Sequence, residues 1–285
     1  MSALFSYLGA FSRNLGWVTA AEQLALKNKR VAIAGLGGAG GSHLLTLARL
    51  GIGAFHIADL DTFELVNINR QAGALLSTIG RPKVEVLAAM ARDINPDLRL
   101  KCFASGIGRE HMVEFLQGVD LYIDGLDFFA FDARRQVFAA CAQAGIPAVT
   151  AAPLGMGAAV LSFLPGGMSF EAYFRLDGHT QEEQAVRFLL GLSPALLQAS
   201  YLVDRSQVDF KTGRGPSTVM ACQLCAGFAA TEVLKILLGR GKVWAAPHAL
   251  HYDAYRNRLK RTWRPMGNAN PLQQLALAIA RWRLG

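Results

Sequence analysis

Residues 30–51 read RVAIAGLGGAGGSHLLTLARLG. A short apolar run ends in a cluster of glycines, and a helical pattern carrying Leu44, Leu47 and Leu50 follows. A short apolar run without polar alternation suits a strand buried on both faces, as in a parallel sheet covered by helices. Glycines at the turn let backbone N–H groups approach an anion where no side chain intervenes. The helix that follows aims its positive end at the same point. This stretch restricts the chain to an α/β architecture built around a strand–turn–helix suited to an anion.

The first half continues the alternation. Strands are expected at FHIAD (55–59), LRLKCFA (98–104), DLYIDGLD (120–127, running into a loop), IPAVTAA (146–152) and AAVLSFL (158–164). Helices are expected at AAEQLALKN (20–28), RPKVEVLAAMARDIN (81–95), REHMVEFLQ (109–117) and DARRQVFAACAQAG (132–145), the last with Asp132 as its cap. Pro82 suits a first helical turn and Asn95-Pro96 a stop. The pattern implies a Rossmann-like, doubly wound, mostly parallel sheet, with ligands at the carboxyl ends of the strands. Gly35, Asp59 and Asp127 fall at such ends.

Residues 1–30 read as a helical arm and 31–165 as the nucleotide-binding core. Residues 166–216, where regularity fails apart from pieces such as EEQAVRFLLGL, read as a crossover segment over the site. Residues 217–285 read as the C-terminal part of the same domain, with a long buried helix from near Ser217, a late strand and turn at HALHYDAYRN, and an amphipathic terminal helix. The uncharged stretch between Arg135 and Glu171 is long enough to span a bilayer, but Pro147, Pro153, Gly155, Gly157 and Pro165 punctuate it, so strands and turns are expected.

At 52% apolar residues, the 285-residue chain can bury a sizeable core. Four cysteines are too few for a disulfide framework, and no secretory pattern opens the chain, so the cytoplasm is the expected location. The net charge of +8 attracts anions generally; Lys and Arg are scattered except in RNRLKRTWR (256–264), read as a solvated basic tail, so nucleic acid is not indicated.

The spacing Gly35-x-Gly37-x-x-Gly40, followed by Asp59, meets the dinucleotide template, and alone it favours a NAD-dependent oxidoreductase. The stretch DLDTFELVNINRQ (59–71) adds Asp61, Asn67 and Arg70, and Lys83 follows. Hydride transfer has no use for such a cluster. A nucleoside triphosphate has: its leaving pyrophosphate needs cations, and its Mg²⁺ needs one or two carboxylates. The P-loop pattern is absent. Asp61 and Asn67 could instead cap turns, and Arg70 and Lys83 could be surface charges.

Taken together, RVAIAGLGGAGG, GIGAFHIADLDTFELVNINRQ, GRPKVE, INP and DLYIDGLD occur in order after an FSRN at 11–14, and the chain resembles the ThiF/MoeB/HesA adenylyltransferases, whose fold ubiquitin-activating enzymes share. The resemblance covers residues 11–165 well and 216–255 more loosely. It implies ATP with Mg²⁺. The nucleotide would lie on Gly35, Gly37, Gly38 and Gly40, with Asp59 on the ribose hydroxyls, Asp61 nearby, Asn67, Arg70 and Lys83 along the phosphates, and Asp127 carrying the metal. It also implies that Arg13 reaches into a partner subunit's site, making a homodimer. The activity implied is attack of a substrate carboxylate on the α-phosphorus, giving an acyl-adenylate and pyrophosphate; the carboxylate could belong to a ubiquitin-like or peptide C-terminus or a small molecule. A non-catalytic nucleotide-binding protein of the same fold is the remaining alternative.

The chain departs from the family pattern in two places. Residues 142–221 contain no cysteine, which puts thioester chemistry in doubt. A single CxxC, Cys222 to Cys225, stands where relatives carry two such pairs; structural zinc is not expected, and packed small residues are.

Overall fold

The computed structural model describes residues 5–210, 213 and 215–284. One eight-stranded sheet organises the chain: β1 (Arg30–Ala34), β2 (Ala54–Ala58), β3 (Arg99–Phe103), β4 (Leu121–Asp124), β5 (Ala148–Leu154), β6 (Gly157–Phe163), β7 (His248–Asp253) and β8 (Arg258–Trp263). The order across the sheet is β3-β2-β1-β4-β5-β6-β7-β8. The strands from β3 to β5 pair in parallel, so the crevice where strand order reverses lies between β1 and β4.

The helices are α1 (Tyr7–Ala10), α2 (Ala20–Asn28), α3 (Gly38–Leu50), α4 (Lys83–Ile94), α5 (Arg109–Leu116), α6 (Phe131–Ala144), α7 (Phe170–Phe174), α8 (Gln181–Leu192), α9 (Val219–Leu238) and α10 (Pro271–Leu284). Leu26 of α2, with residues of α3, α4 and α9, joins the core on one face of the sheet. On the other face, α5 to α8 pack an aromatic core including Phe115, Phe138, Phe170 and Phe188. Leu277 of α10 packs on Val186 and Leu190 of α8. Among the described residues one helix, α9, is long and apolar enough to cross a bilayer; here it packs between α3 and strands β5 and β6, as a core helix does.

The sheet is mostly parallel, as expected, and two other expectations need correction. Strands β5 and β6 pair antiparallel because only Gly155 and Met156 separate them; a two-residue turn closes a hairpin and leaves no room for a crossover helix, and β7 and β8 continue the antiparallel pairing. Gly155, at φ +61°, permits that turn. The run 256–264 is not a tail: its middle is edge strand β8, hydrogen-bonded to β7 and largely exposed. Helix α6 begins at Phe131, so Asp132 lies inside its first turn, and its N-cap, Ala130, makes no side-chain capping bond.

Candidate functional site

The glycine turn divides its work. Gly35 adopts φ +80°, and a Cβ there, or on Gly40, would collide with backbone, on Gly125 and on Gly35 respectively. These two glycines, with Gly125, let β1, α3 and the end of β4 pack closely. Gly37 and Gly38 are different. A Cβ on Gly37 would meet only the Gln71 amide, at 3.8 Å, and one on Gly38 would meet Cys222 Sγ at 2.8 Å and the Arg70 stem at 3.4 Å. Gly37 and Gly38 therefore stand at the site surface, at the N-terminus of α3.

Asp59 closes this turn. Its Oδ2 accepts from the Leu36 N–H (2.6 Å) and its Oδ1 from the Asp61 N–H (2.8 Å). Each oxygen retains a lone pair for a further hydroxyl donor. The Asp61 carboxylate in turn accepts from Lys83 Nζ at 2.9 Å. A backbone bridge between Thr62 and Pro82 and a bond from the Lys83 N–H to Asp61 O join the two segments. Lys83 is 6% exposed, so its ammonium is largely withdrawn from water.

Asn67 is buried, and its Oδ1 accepts from the Glu64 N–H at 3.0 Å. That bond is the turn-capping alternative. Arg70 donates to Val66 O and Asn69 Oδ1 while its stem lies over Gly38. Asn69 Nδ2 donates to Ser217 O, which draws the start of α9 against the same corner.

Asp127 follows β4, beside the glycine turn through a Gly125 N–H bond to Ala34 O. It is exposed, and its Oδ1 accepts from the Phe129 N–H. The loop is held from below by Arg134, which sequence reasoning missed. Its Nε donates to Asp124 Oδ2 (2.8 Å), its Nη2 to the carbonyls of Leu126 and Asp127, and its Nη1 to that of Phe128. Arg134 and Asp124 are 2% and 3% exposed. Thr150 Oγ1 also donates to Asp124. A buried arginine reads in sequence like its exposed neighbour unless the apolar phase of its helix is read first.

Arg13 stands apart from this cluster. It is exposed in the single turn Ser12–Asn14, and the adjacent Asn14 donates to Leu50 O at the far end of α3. Thirteen helical residues put that end about 18 Å from Gly38. Arg13 therefore lies toward the end of α3 opposite the glycine turn of its own chain.

Cys222 and Cys225 are both buried free thiols. Burial pushes both pKa values upward, well upward for Cys225; a bond with Ser217 and the charge of Arg70 partly oppose this at Cys222. Neutral thiols fit the packing reading. Among the described residues no group of three or more His, Cys, Asp or Glu could hold a metal ion. Magnesium does not require one, since it keeps waters and phosphate oxygens beside one or two carboxylates, and exposed Asp127 fits that demand.

A parallel strand, glycine turn and helix, with an acid at the end of the neighbouring strand, define a Rossmann-like α/β protein. The chain belongs to the ThiF family, whose model matches residues 11–274. It is 36% identical over 155 residues to a tRNA threonylcarbamoyladenosine dehydratase of Bacillus subtilis (53% of this chain, 58% of that protein). It is 32% identical over 143 residues to the sulfur carrier protein ThiS adenylyltransferase of Escherichia coli (50% of this chain, 56% of that protein). The chain thus spans little more than half the length of these two relatives. In fold it matches the structure of E. coli MccB with MccA-N7isoASN, at TM-score 0.69 and 20% identity, over 94% of this chain and 75% of that one.

Proposed function

We propose that the chain is an ATP-dependent adenylyltransferase that activates a substrate carboxylate. The observation that carries this reading is the withdrawn Lys83 ammonium, held by Asp61 two residues beyond the acid that closes the glycine turn. A redox cofactor has no use for a buried cation there; a departing pyrophosphate does. The carboxylate attacks the α-phosphorus, the bond to the β-phosphate oxygen breaks, and pyrophosphate leaves with the electron pair. Asp59 binds the ribose, Arg70 and Lys83 balance the phosphate charge, and Asn67 lies along the phosphates. Magnesium, held by Asp127, would neutralise further phosphate charge. Arg13 acts from a second copy in a homodimer, a reading supported by its place at the far end of α3 from the glycine turn.

Residues 142–221 supply no cysteine for a thioester, which favours a reaction that stops at the acyl-adenylate or passes it directly to a nucleophile held by the substrate. An internal nucleophile of the substrate would expel AMP together with the former carboxylate oxygen, a net dehydration. The B. subtilis relative, named a dehydratase, favours this second course. A carrier protein or peptide C-terminus is the other substrate class, favoured by the ThiS adenylyltransferase. ATP–pyrophosphate exchange with candidate carboxylates tests the reading: Lys83→Ala and Asp127→Ala should abolish exchange while remaining folded. Full exchange in both variants would refute these roles, and NAD(H) binding tighter than Mg-ATP would favour a redox enzyme.

A further inference from the structure

Gln71 lies at the end of NINRQ, next to the glycine turn, and no role has been given to it. Its backbone is fixed: its N–H donates to Asn67 O and its carbonyl accepts from the Ala74 N–H. Its side chain is 7% exposed, and its amide nitrogen lies beside Gly37, 3.8 Å from where a Cβ would stand. Its Oε1 is buried with no hydrogen-bond partner, and among the described residues its carboxamide makes no bond at all. Buried polar groups in folded proteins are nearly always paired, and exceptions call for an explanation such as a missing water or ion. The other end of the same carboxamide, Nε2, faces the turn where an anion is expected.

We propose that Gln71 is a nucleotide-binding residue: Nε2 donates to a phosphate oxygen seated over Gly37 and Gly38, and Oε1 accepts from a water ordered by that phosphate. The inference rests on the nucleotide reading above and adds a contact to it. A carboxamide suits this position because it supplies a donor toward the phosphate and an acceptor toward its water. The opposing explanation is that Gln71 only fills space behind the turn. The two agree in the ligand-free protein and differ in nucleotide affinity. A space-filling amide with an unpaired buried oxygen is replaced by Met at no cost to stability, and nucleotide affinity should then be unaffected. A phosphate ligand is replaced at equally little cost, but affinity falls for phosphorylated ligands alone.

The experiment measures unfolding of the ligand-free chain and calorimetric affinity for Mg-ATP, AMP and adenosine, in wild type and Gln71→Met. A hydrogen bond to a charged group corresponds to roughly a tenfold to hundredfold change in affinity. Gln71→Met should lose that factor for Mg-ATP and AMP, bind adenosine within about twofold of wild type, and unfold no earlier than wild type. Should Gln71→Met fail to fold, Gln71→Asn, which keeps the carboxamide but shortens its reach, is held to the same selective loss. Unchanged AMP affinity, or equal losses for AMP and adenosine, overturns the role of Gln71 while leaving the nucleotide site in place. Wild-type protein that binds none of the three ligands overturns both readings.

Discussion

Replacing Arg134 by Met removes the cation paired with Asp124 and leaves a carboxylate that is 3% exposed without that charge partner. In the same step the loop carbonyls of Leu126 and Phe128 lose the Arg134 donor, and that of Asp127 keeps the Ala130 N–H alone. Thr150 Oγ1 and the Leu126 N–H still donate to Asp124, so the charge is not fully stranded. Breaking a buried ion pair from one side costs about 3–5 kcal/mol. Both groups lie out of solvent, so screening offers no large discount. Against a total stability of about 5–15 kcal/mol, the variant remains folded but falls markedly in urea midpoint. The double replacement Asp124→Leu with Arg134→Met removes both charges, so it should cost less than the sum of the single replacements by about 2 kcal/mol or more. Urea unfolding of the four proteins at equal m-value closes the cycle. A single-variant cost under about 1 kcal/mol, or additivity within about 0.5 kcal/mol, would show that the pair is not the clamp described.

Two further outcomes follow from other parts of the site. His43 in α3 is fully buried with both ring nitrogens unpartnered, and burial lowers its pKa to about 4, against a weaker opposing effect of the Asp124 charge. The unfolded chain takes up that proton near pH 6.5 and the folded chain only near pH 4. Stability conferred by the neutral ring is therefore complete above pH 6.5 and falls by about 1.4 kcal/mol per unit on acidification to pH 4, about 3 kcal/mol in all. Comparing His43→Leu with wild type by denaturation at pH 7.5 and 4.5 isolates this slope, and parallel losses in the two proteins would refute it. Gly40→Ala drives a methyl into the Gly35 carbonyl and should cost about 3 kcal/mol or more, whereas Gly37→Ala meets only a side-chain amide and should keep its Tm while weakening nucleotide binding. Equal Tm losses would contradict the division of labour among the glycines.

How much of this was legible in the sequence depended on the range of the contacts involved. The turn from Gly35 to Gly40 and its acid at Asp59 could be read because strand, turn and helix are contiguous, and the next strand in parallel order must return its carboxyl end to the same edge. The antiparallel half is not legible in apolar pattern, since β5 and β6 look like any two buried strands; the tight Gly155–Met156 connection is the signal the sequence offers for it. Strand β8 shows one buried residue, Thr262, among five exposed ones, so an edge strand rich in cations has no alternation to display and reads as a tail.

The contacts that set the chemistry of the site belong to a third class. Lys83 and Asp61 meet because the segment between them returns on itself through the Thr62–Pro82 bridge, and no local pattern encodes that closure. Arg134 lies beside Arg135, yet one is buried against Asp124 while the other reaches outward to Glu171 and Asp177. On a helix, adjacent positions differ by about 100°, so which of two arginines faces the core follows from the helix phase. Here that phase is set by Phe131 and Phe138, both buried. The apolar phase of α6 places Arg134 inside, and a buried arginine at the foot of a loop carrying Asp127 makes a rigid floor for that carboxylate.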